Sequence, residues 1–272
     1  MTDSLSRATV GETSYLVGGE GAPVVFIHGI PGSAHTWEPV AERLTDRYHV
    51  LLPDLRGFGY SEPPAGDYYL DAQAAALDAF LDALEVDPFA LVTHDFGGPV
   101  ALTLDRRFPR ESVGRLVLAS TNVFTDNPVP PPLRVAGVPV LGTLLFTAMV
   151  GNRFGLRLLH RAAVEQRSTL PWSQFQRHLT PSAMSMTRRI FQRSLADLEG
   201  NYGPIERSLP GLDVPTLVLW GDSDPFFDTA VAERTADAIP ESELTIFEDT
   251  GHFVPEERPV EVAETVGAFL SE

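Results

Sequence analysis

The chain has 272 residues, 20 Lys+Arg against 37 Asp+Glu for a formal charge of −17, 43% hydrophobic residues and no cysteine. At this length roughly three quarters of the unfolded surface is buried on folding, so one large domain, with or without an insertion, holds a core unaided. The lack of Cys excludes disulfide scaffolds, thiol nucleophiles and Cys-ligated metal centres and is simplest in a reducing cytoplasm, while the acidity argues against a nucleic-acid partner.

In chain order, Met1 to Thr9 is polar and lacks the charged start and apolar run of a signal peptide. Val24 to His28 is a short apolar strand stopped by Gly29, Thr36 to Leu44 has a helical pattern, and His49 to Leu52 is a second buried strand. A helix is predicted over Asp71 to Leu84, its inner face at positions 72, 76, 77, 80, 81 and 84 and Asp78 and Asp82 opposite. Phe89 to Thr93 reads as a strand, Val100 to Arg107 as a helix and Val113 to Ala119 as a strand. Strands apolar at nearly every position, alternating with helices, predict an α/β fold with a mostly parallel sheet covered on both faces.

The alternation stops at Asn122 and resumes with a strand at Thr216 to Trp220, a helix near Ala230 to Ile239, a strand at Leu244 to Phe247 and a last helix at Val260 to Leu270. The interruption begins with the stiff run Asn127-Pro128-Val129-Pro130-Pro131-Pro132 and ends at Leu209-Pro210-Gly211. Its 10 Arg and 5 Asp+Glu give it +5 and leave −22 for the rest. We therefore expect a core of residues 1–122 and 211–272 and a helical, mildly basic cap of residues 123–210 over the strand C-terminal ends, where ligands bind in open α/β sheets. Val135 to Val150 is the longest uncharged stretch, but it contains Gly137, Pro139 and Gly142 and falls short of the ~20 apolar residues of a membrane span.

The stretch Leu91-Val92-Thr93-His94-Asp95-Phe96-Gly97-Gly98-Pro99-Val100 sets one reactive side chain, Asp95, between a strand and a helix. That is the context of a nucleophile elbow, usually G-x-S-x-G, with Asp in place of Ser and Thr93 in place of the first glycine. A plain N-cap of the following helix is the alternative role for Asp95. His28-Gly29-Ile30-Pro31-Gly32 follows the first clear strand, and the N–H of Ile30, with that of Phe96, is a candidate oxyanion donor. Asp224 follows a later strand and His252 the last, giving the order nucleophile, acid, histidine. Asp224 would orient His252, which would act as general base on water. Singly, Asp224 and His252 could equally be turn residues.

Together, His28-Gly29-Ile30-Pro31, Asp54-Leu55-Arg56-Gly57-Phe58-Gly59-Tyr60-Ser61, His94-Asp95-Phe96-Gly97-Gly98, Gly221 with Asp224, and Gly251-His252-Phe253 resemble the α/β-hydrolase fold family over essentially the whole chain. Within it they resemble the branch with an aspartate nucleophile, the epoxide hydrolases and haloalkane dehalogenases. The resemblance implies Asp224, not Asp222, as the acid, and an alkyl-enzyme ester on Asp95 that His252-activated water hydrolyses. It also implies a pocket including His28, Pro31, Phe96 and Trp172, and no cofactor or metal. Haloalkane dehalogenases usually carry Trp after the nucleophile, where this chain has Phe96; Trp172 could supply one indole donor. Epoxide hydrolases usually use two cap tyrosines, and Tyr202 is the single Tyr of the insertion, with His160 or His178 as substitutes for the other. Epoxide opening to a diol is thus the expected reaction, haloalkane cleavage the alternative, and a non-catalytic ligand-binding scaffold the reading of another class. The expected partners are a small apolar substrate and water, in a monomer or homodimer. Haloacetate cleavage and ester hydrolysis are less expected, since Arg is missing after Asp95 and Ser at the elbow.

Overall fold

The computed structural model describes residues 4–108, 113–127, 144 and 153–272. Eight strands, β1 (Ser6–Val10), β2 (Thr13–Gly18), β3 (Ala22–Ile27), β4 (Tyr48–Pro53), β5 (Phe89–His94), β6 (Val113–Ala119), β7 (Thr216–Gly221) and β8 (Ser242–Phe247), form one sheet in the order β1-β2-β4-β3-β5-β6-β7-β8. Strands β3 to β8 run parallel, so the loops after β3, β5, β6, β7 and β8 emerge along one edge.

Alternate residues of the central strands enter opposite cores, which explains why these strands are apolar at nearly every position. Val25, Ile27, Leu91, Leu116 and Trp220 pack on one face against α2 (Leu70–Ala83) and α3 (Gly97–Arg107). Val24, Phe26, Val92, Val117 and Leu219 pack on the other against α1 (Glu38–Ala41) and the C-terminal helices. Each fully buried Val, Leu or Phe is worth about 1.5–3 kcal/mol, so both layers resist displacement and hold the loop edge still.

The antiparallel pair β1 and β2 lies outside the sequence expectation, because its burial is irregular and half polar. The Thr36 to Leu44 helix is split into a 3₁₀ turn, Ala34–Thr36, and a four-residue α1. The buried stripe of α2 runs through Leu70, Gln73, Ala74, Leu77, Phe80 and Leu81, because the Gln73 amide pins the Arg56 backbone. Helix α3 starts at Gly97, three residues earlier than expected.

Between β6 and β7 lie α4 (Arg153–Ala163), α5 (Trp172–Phe175), α6 (Pro181–Ala196) and α7 (Leu198–Glu206). Pro128 to Pro132 of the proline run, and all of Val135 to Val150 but Leu144, fall outside the described residues. After β7 come α8 (Thr229–Ala238), α9 (Val254–Glu257) and α10 (Pro259–Phe269). Among the described residues, no helix is long and apolar enough to cross a membrane.

Candidate active site

Asp95 occupies the sharp turn between β5 and α3, with φ +48°. For a residue with a Cβ this left-handed conformation is strained, and the flanking layers hold it. Phe96, not Asp95, is the N-cap residue of α3, and no side chain caps that helix. The N-cap role is thus not the one Asp95 takes. Its Oδ2 instead accepts the Ile30 N–H at 2.7 Å, and the Phe96 N–H also bonds the carboxylate. Gly29 makes this possible: a Cβ there would sit 2.4 Å from the Asp95 Cβ.

His252 enters from the loop after β8. Its Nδ1–H donates to Asp224 Oδ2 at 2.8 Å, and the other Asp224 oxygen accepts the N–H groups of Phe226 and Phe227 at 2.9 and 3.2 Å. Gly221 lets the two loops touch, since a Cβ there would lie 2.3 Å from the carbonyl oxygens of Thr250 and Gly251. Asp222 faces away from the ring and accepts the Thr250 N–H.

The free Nε2 of His252 lies 3.9 Å from Asp95 Oδ1. That is too long for a hydrogen bond, and a carboxylate needs no base to become a nucleophile. The gap suits a histidine that acts on water beside the carboxylate.

Electrostatics support the same division of labour. Burial pushes the Asp95 carboxyl up, against the opposing pull of His252 and the two amide N–H groups. For His252, burial disfavours the charged ring, but the carboxylates of Asp224, Asp95 and Glu257 outweigh it and the pKa is raised.

The cavity in front of these groups and the open solvent at its mouth together take up about 1190 Å³. Ile30, Pro31, Asp95, Phe96, Tyr202 and His252, all expected at the site, line it together. Among the described lining residues there is no Arg, and Asp95 is the single acid. The rest is mainly Leu and Phe from α4, α6, α7 and the loops after β7 and β8.

Two expected pocket residues lie outside the wall. His28 is fully buried beneath it, its ring bonded to the Gly29 carbonyl and the Leu55 N–H at 2.7 and 2.9 Å, and burial takes its pKa down to about 4. It braces the loop that carries Ile30. Trp172 packs on His160 and Phe175, with the Arg157 guanidinium over its ring. Neither proposed substitute for a second tyrosine reaches the cavity: His160 is bonded to the Leu170 carbonyl, and His178 is held between Ser33 and Glu256.

The sequence reading missed Tyr69, Asn122, Asn127, Thr187 and Ser194. Tyr69 and Tyr202 both bond Ser194 Oγ, at 2.7 and 3.4 Å, which makes a buried chain of three hydroxyls beside the cavity. The α6 stripe Met184, Thr187, Phe191, Ser194 and Leu195 was detectable as spacings of three and four. Tyr69 joins from 125 residues away, with no local signal.

A family model described as alpha/beta hydrolase fold matches residues 22–259. The chain is 30% identical to a cis-3-alkyl-4-alkyloxetan-2-one decarboxylase of Shewanella oneidensis, over 95% of this chain and 85% of that protein. It is also 30% identical to a 2-hydroxymuconate semialdehyde hydrolase of Pseudomonas sp. CF600, over 93% and 88%. Among solved structures, that of a putative ancestral haloalkane dehalogenase superposes with a TM-score of 0.83 at 24% identity, covering 98% of each chain, a likeness of fold.

Proposed function

The chain belongs to the alpha/beta hydrolase fold family, and from that premise we propose that it opens a strained oxygen ring, most simply an epoxide, through an ester on Asp95. The observation that carries this reading is the seating of the Asp95 carboxylate. One oxygen rests on the Ile30 N–H, and the other lies 3.9 Å from His252 Nε2.

In the first step Asp95 Oδ1 attacks a ring carbon and the ring C–O bond breaks. The departing oxygen takes a proton from the Tyr202 hydroxyl, whose pKa burial raises, so it is protonated at neutral pH. In the second step His252 Nε2 takes a proton from water as the water oxygen attacks the ester carbonyl carbon. The negative charge gathers on the oxygen held by the Ile30 and Phe96 N–H groups. Collapse expels the diol oxygen, which takes its proton back from His252, and the carboxylic acid left at Asp95 gives up its proton, through solvent, to the Tyr202 phenolate, which restores the carboxylate and the phenol. Helices α4 to α7 then serve as a cap, within the boundaries 123–210, that excludes bulk water from the ester.

Two features favour an oxygen leaving group over a halide: Phe96 has no side-chain N–H, and Trp172 lies outside the wall. A second reading, decarboxylation of an oxetan-2-one, is favoured by the 30% identical relative with that name. Its four-membered ring also offers a strained C–O bond at an sp³ carbon.

Purified protein should be given a terminal epoxide, a 1-bromoalkane and a cis-3,4-dialkyloxetan-2-one, with diol, bromide and CO₂ measured. Diol as the fastest product is the expected result. Bromide or CO₂ as the fastest would move the assignment to that reaction, and no product would leave a binding scaffold. Tyr202→Phe should slow epoxide opening by about 10²–10⁴-fold, the range for a lost general acid, and leave any bromoalkane turnover unchanged.

The histidine also implies a pH dependence. Only neutral His252 can accept a proton, so ester hydrolysis falls as pH drops through its pKa. Alkylation removes the Asp95 charge, one of the influences that raise this pKa. The acid limb of single-turnover ester hydrolysis should therefore lie at lower pH than the His252 titration of the resting protein followed by NMR. A limb at the same or higher pH would contradict this.

A further inference from the structure

Glu257 closes α9 and is 1% exposed, a buried carboxylate that neither step above uses. Its oxygens accept four backbone N–H groups from two separate parts of the chain. Oε2 takes those of Glu165 and Gln166, just after α4, at 2.8 Å each and that of Gly251 at 3.2 Å, while Oε1 takes that of Phe253 at 3.1 Å. The two segments are also bonded to each other. The His252 N–H donates at 2.8 Å to the carbonyl of Ala163, the last residue of α4, and the Gln166 side-chain amide donates to the Asp249 carbonyl at 2.7 Å. Gly251 permits this approach, since a Cβ there would lie 2.3 Å from the Ala163 oxygen. The His94 Nε2–H donates to the His252 carbonyl at 2.9 Å. The main chain of His252 is therefore held from α4 at its N–H and from the elbow at its C=O. Leu156 and Leu159 of the same α4 line the cavity, so the helix that shapes the apolar wall is the one pinned to the histidine.

We propose that Glu257 is a positioning residue of the ester-hydrolysis step, one that fastens the His252 loop to the end of α4 and supplies, with Asp224, fixed negative charge near the ring. This rests on the reading of His252 as the general base. Taking a proton from water turns the ring into a cation, so nearby charge counts most in that step. In the resting protein the carboxylates of Asp224, Asp95 and Glu257 all favour the cation. Once Asp95 is esterified its charge is gone, and Asp224 and Glu257 are the two of these that remain. Burial pushes the Glu257 carboxyl up, and its four N–H donors pull the other way by favouring the ionised form. The other titratable groups near the ring and around Glu257 are accounted for. The His94 ring, 5.0 Å from that of His252, is held neutral by burial. Glu256 is engaged by His178 and Arg177, and Arg258 by Thr250 and the Glu248 carbonyl.

Glu257→Gln keeps the shape and can keep one oxygen on the Glu165, Gln166 and Gly251 N–H groups, so it removes the charge and gives up only the Phe253 bond. Glu257→Ala removes the fastening as well. Two readouts on the full-length resting protein do not depend on the chemistry. The His252 titration followed by NMR should move to lower pH in Glu257→Gln, because a charge that favours the protonated ring is lost. Amide exchange in Glu257→Ala should speed up together at Glu165, Gln166, Gly251 and Phe253. An unmoved titration, or faster exchange on one of the two segments alone, overturns the proposal and leaves the Asp95 chemistry standing. In single turnovers of an epoxide, Glu257→Ala should slow ester hydrolysis by about 10²-fold, the cost of misplacing a catalytic group by about 1 Å, and slow alkylation far less. Intact mass would then find ester that the wild type does not accumulate. Equal slowing of both steps marks a purely structural role and overturns the proposal. If Glu257→Ala does not fold, the Glu257→Gln titration decides alone. Should the wild type form no ester at all, the Asp95 reading falls, and the proposed role of Glu257 in that step falls with it, whatever the titration shows.

Discussion

His252→Gln protein incubated with an epoxide is expected to gain the mass of the whole epoxide and to retain it. A carboxylate attacks without the help of a base, and its oxygen lies 3.9 Å from the ring nitrogen, so the histidine takes no proton in ring opening. Hydrolysis does, because water must lose a proton as it attacks, and removing a general base slows such a step by about 10²–10⁴-fold. Glutamine is similar in length and cannot take that proton. Intact-mass measurement should find nearly stoichiometric adduct within a time in which the wild type carries none. With a bromoalkane, an adduct would have the alkyl mass without bromine. A variant that stays unmodified with every substrate class would remove the covalent mechanism.

The second large effect is at Asp95 itself. Asp95→Asn keeps the size of the side chain and tolerates the positive φ of 48°, but its amide is a far weaker nucleophile. Loss of turnover on the order of 10⁶-fold is expected, the scale seen when a covalent hydrolase loses its nucleophile. No adduct should form, and melting should be little changed. A single wild-type turnover in ¹⁸O-labelled water should put the label in the Asp95 carboxylate and leave the first diol unlabelled, since water attacks the ester carbonyl carbon. Label in the first-turnover diol would mean direct attack of water on the ring.

Much of this architecture was legible in the sequence, for reasons that differ by element. The parallel strands stood out because burial on both faces leaves no room for polar alternation, and β6 begins and ends at the expected residues. Strands β1 and β2 lay hidden because one partly exposed hairpin carries neither pattern. Asp95, Asp224 and His252 were visible because each sits in a short turn beside a strand end, where local sequence dictates backbone shape. Ile30 and Phe96 act through backbone N–H groups, so their places followed from the same turns.

His28 and Trp172 went astray because nearness in sequence to a site residue does not say which way a ring points. His28 turns down to brace Leu55, and Trp172 turns into the His160 and Phe175 cluster. Tyr69, Asn122, Thr187 and Ser194 could not be assigned for the converse reason. Their relation to Asp95 exists only once α2, the β6 loop and α6 meet over the strand ends.

By itself the sequence determined the fold class and the chemistry available: an α/β sheet, a carboxylate at the elbow, and an acid and histidine in the right order. Each of these is encoded within a few residues by periodicity or by turn geometry. Only the tertiary structure decided the 3.9 Å separation of His252 from Asp95, the apolar wall and the four N–H groups gathered on Glu257. Those depend on packing between segments up to 158 residues apart in contact, and close packing has no signature in any single stretch of chain.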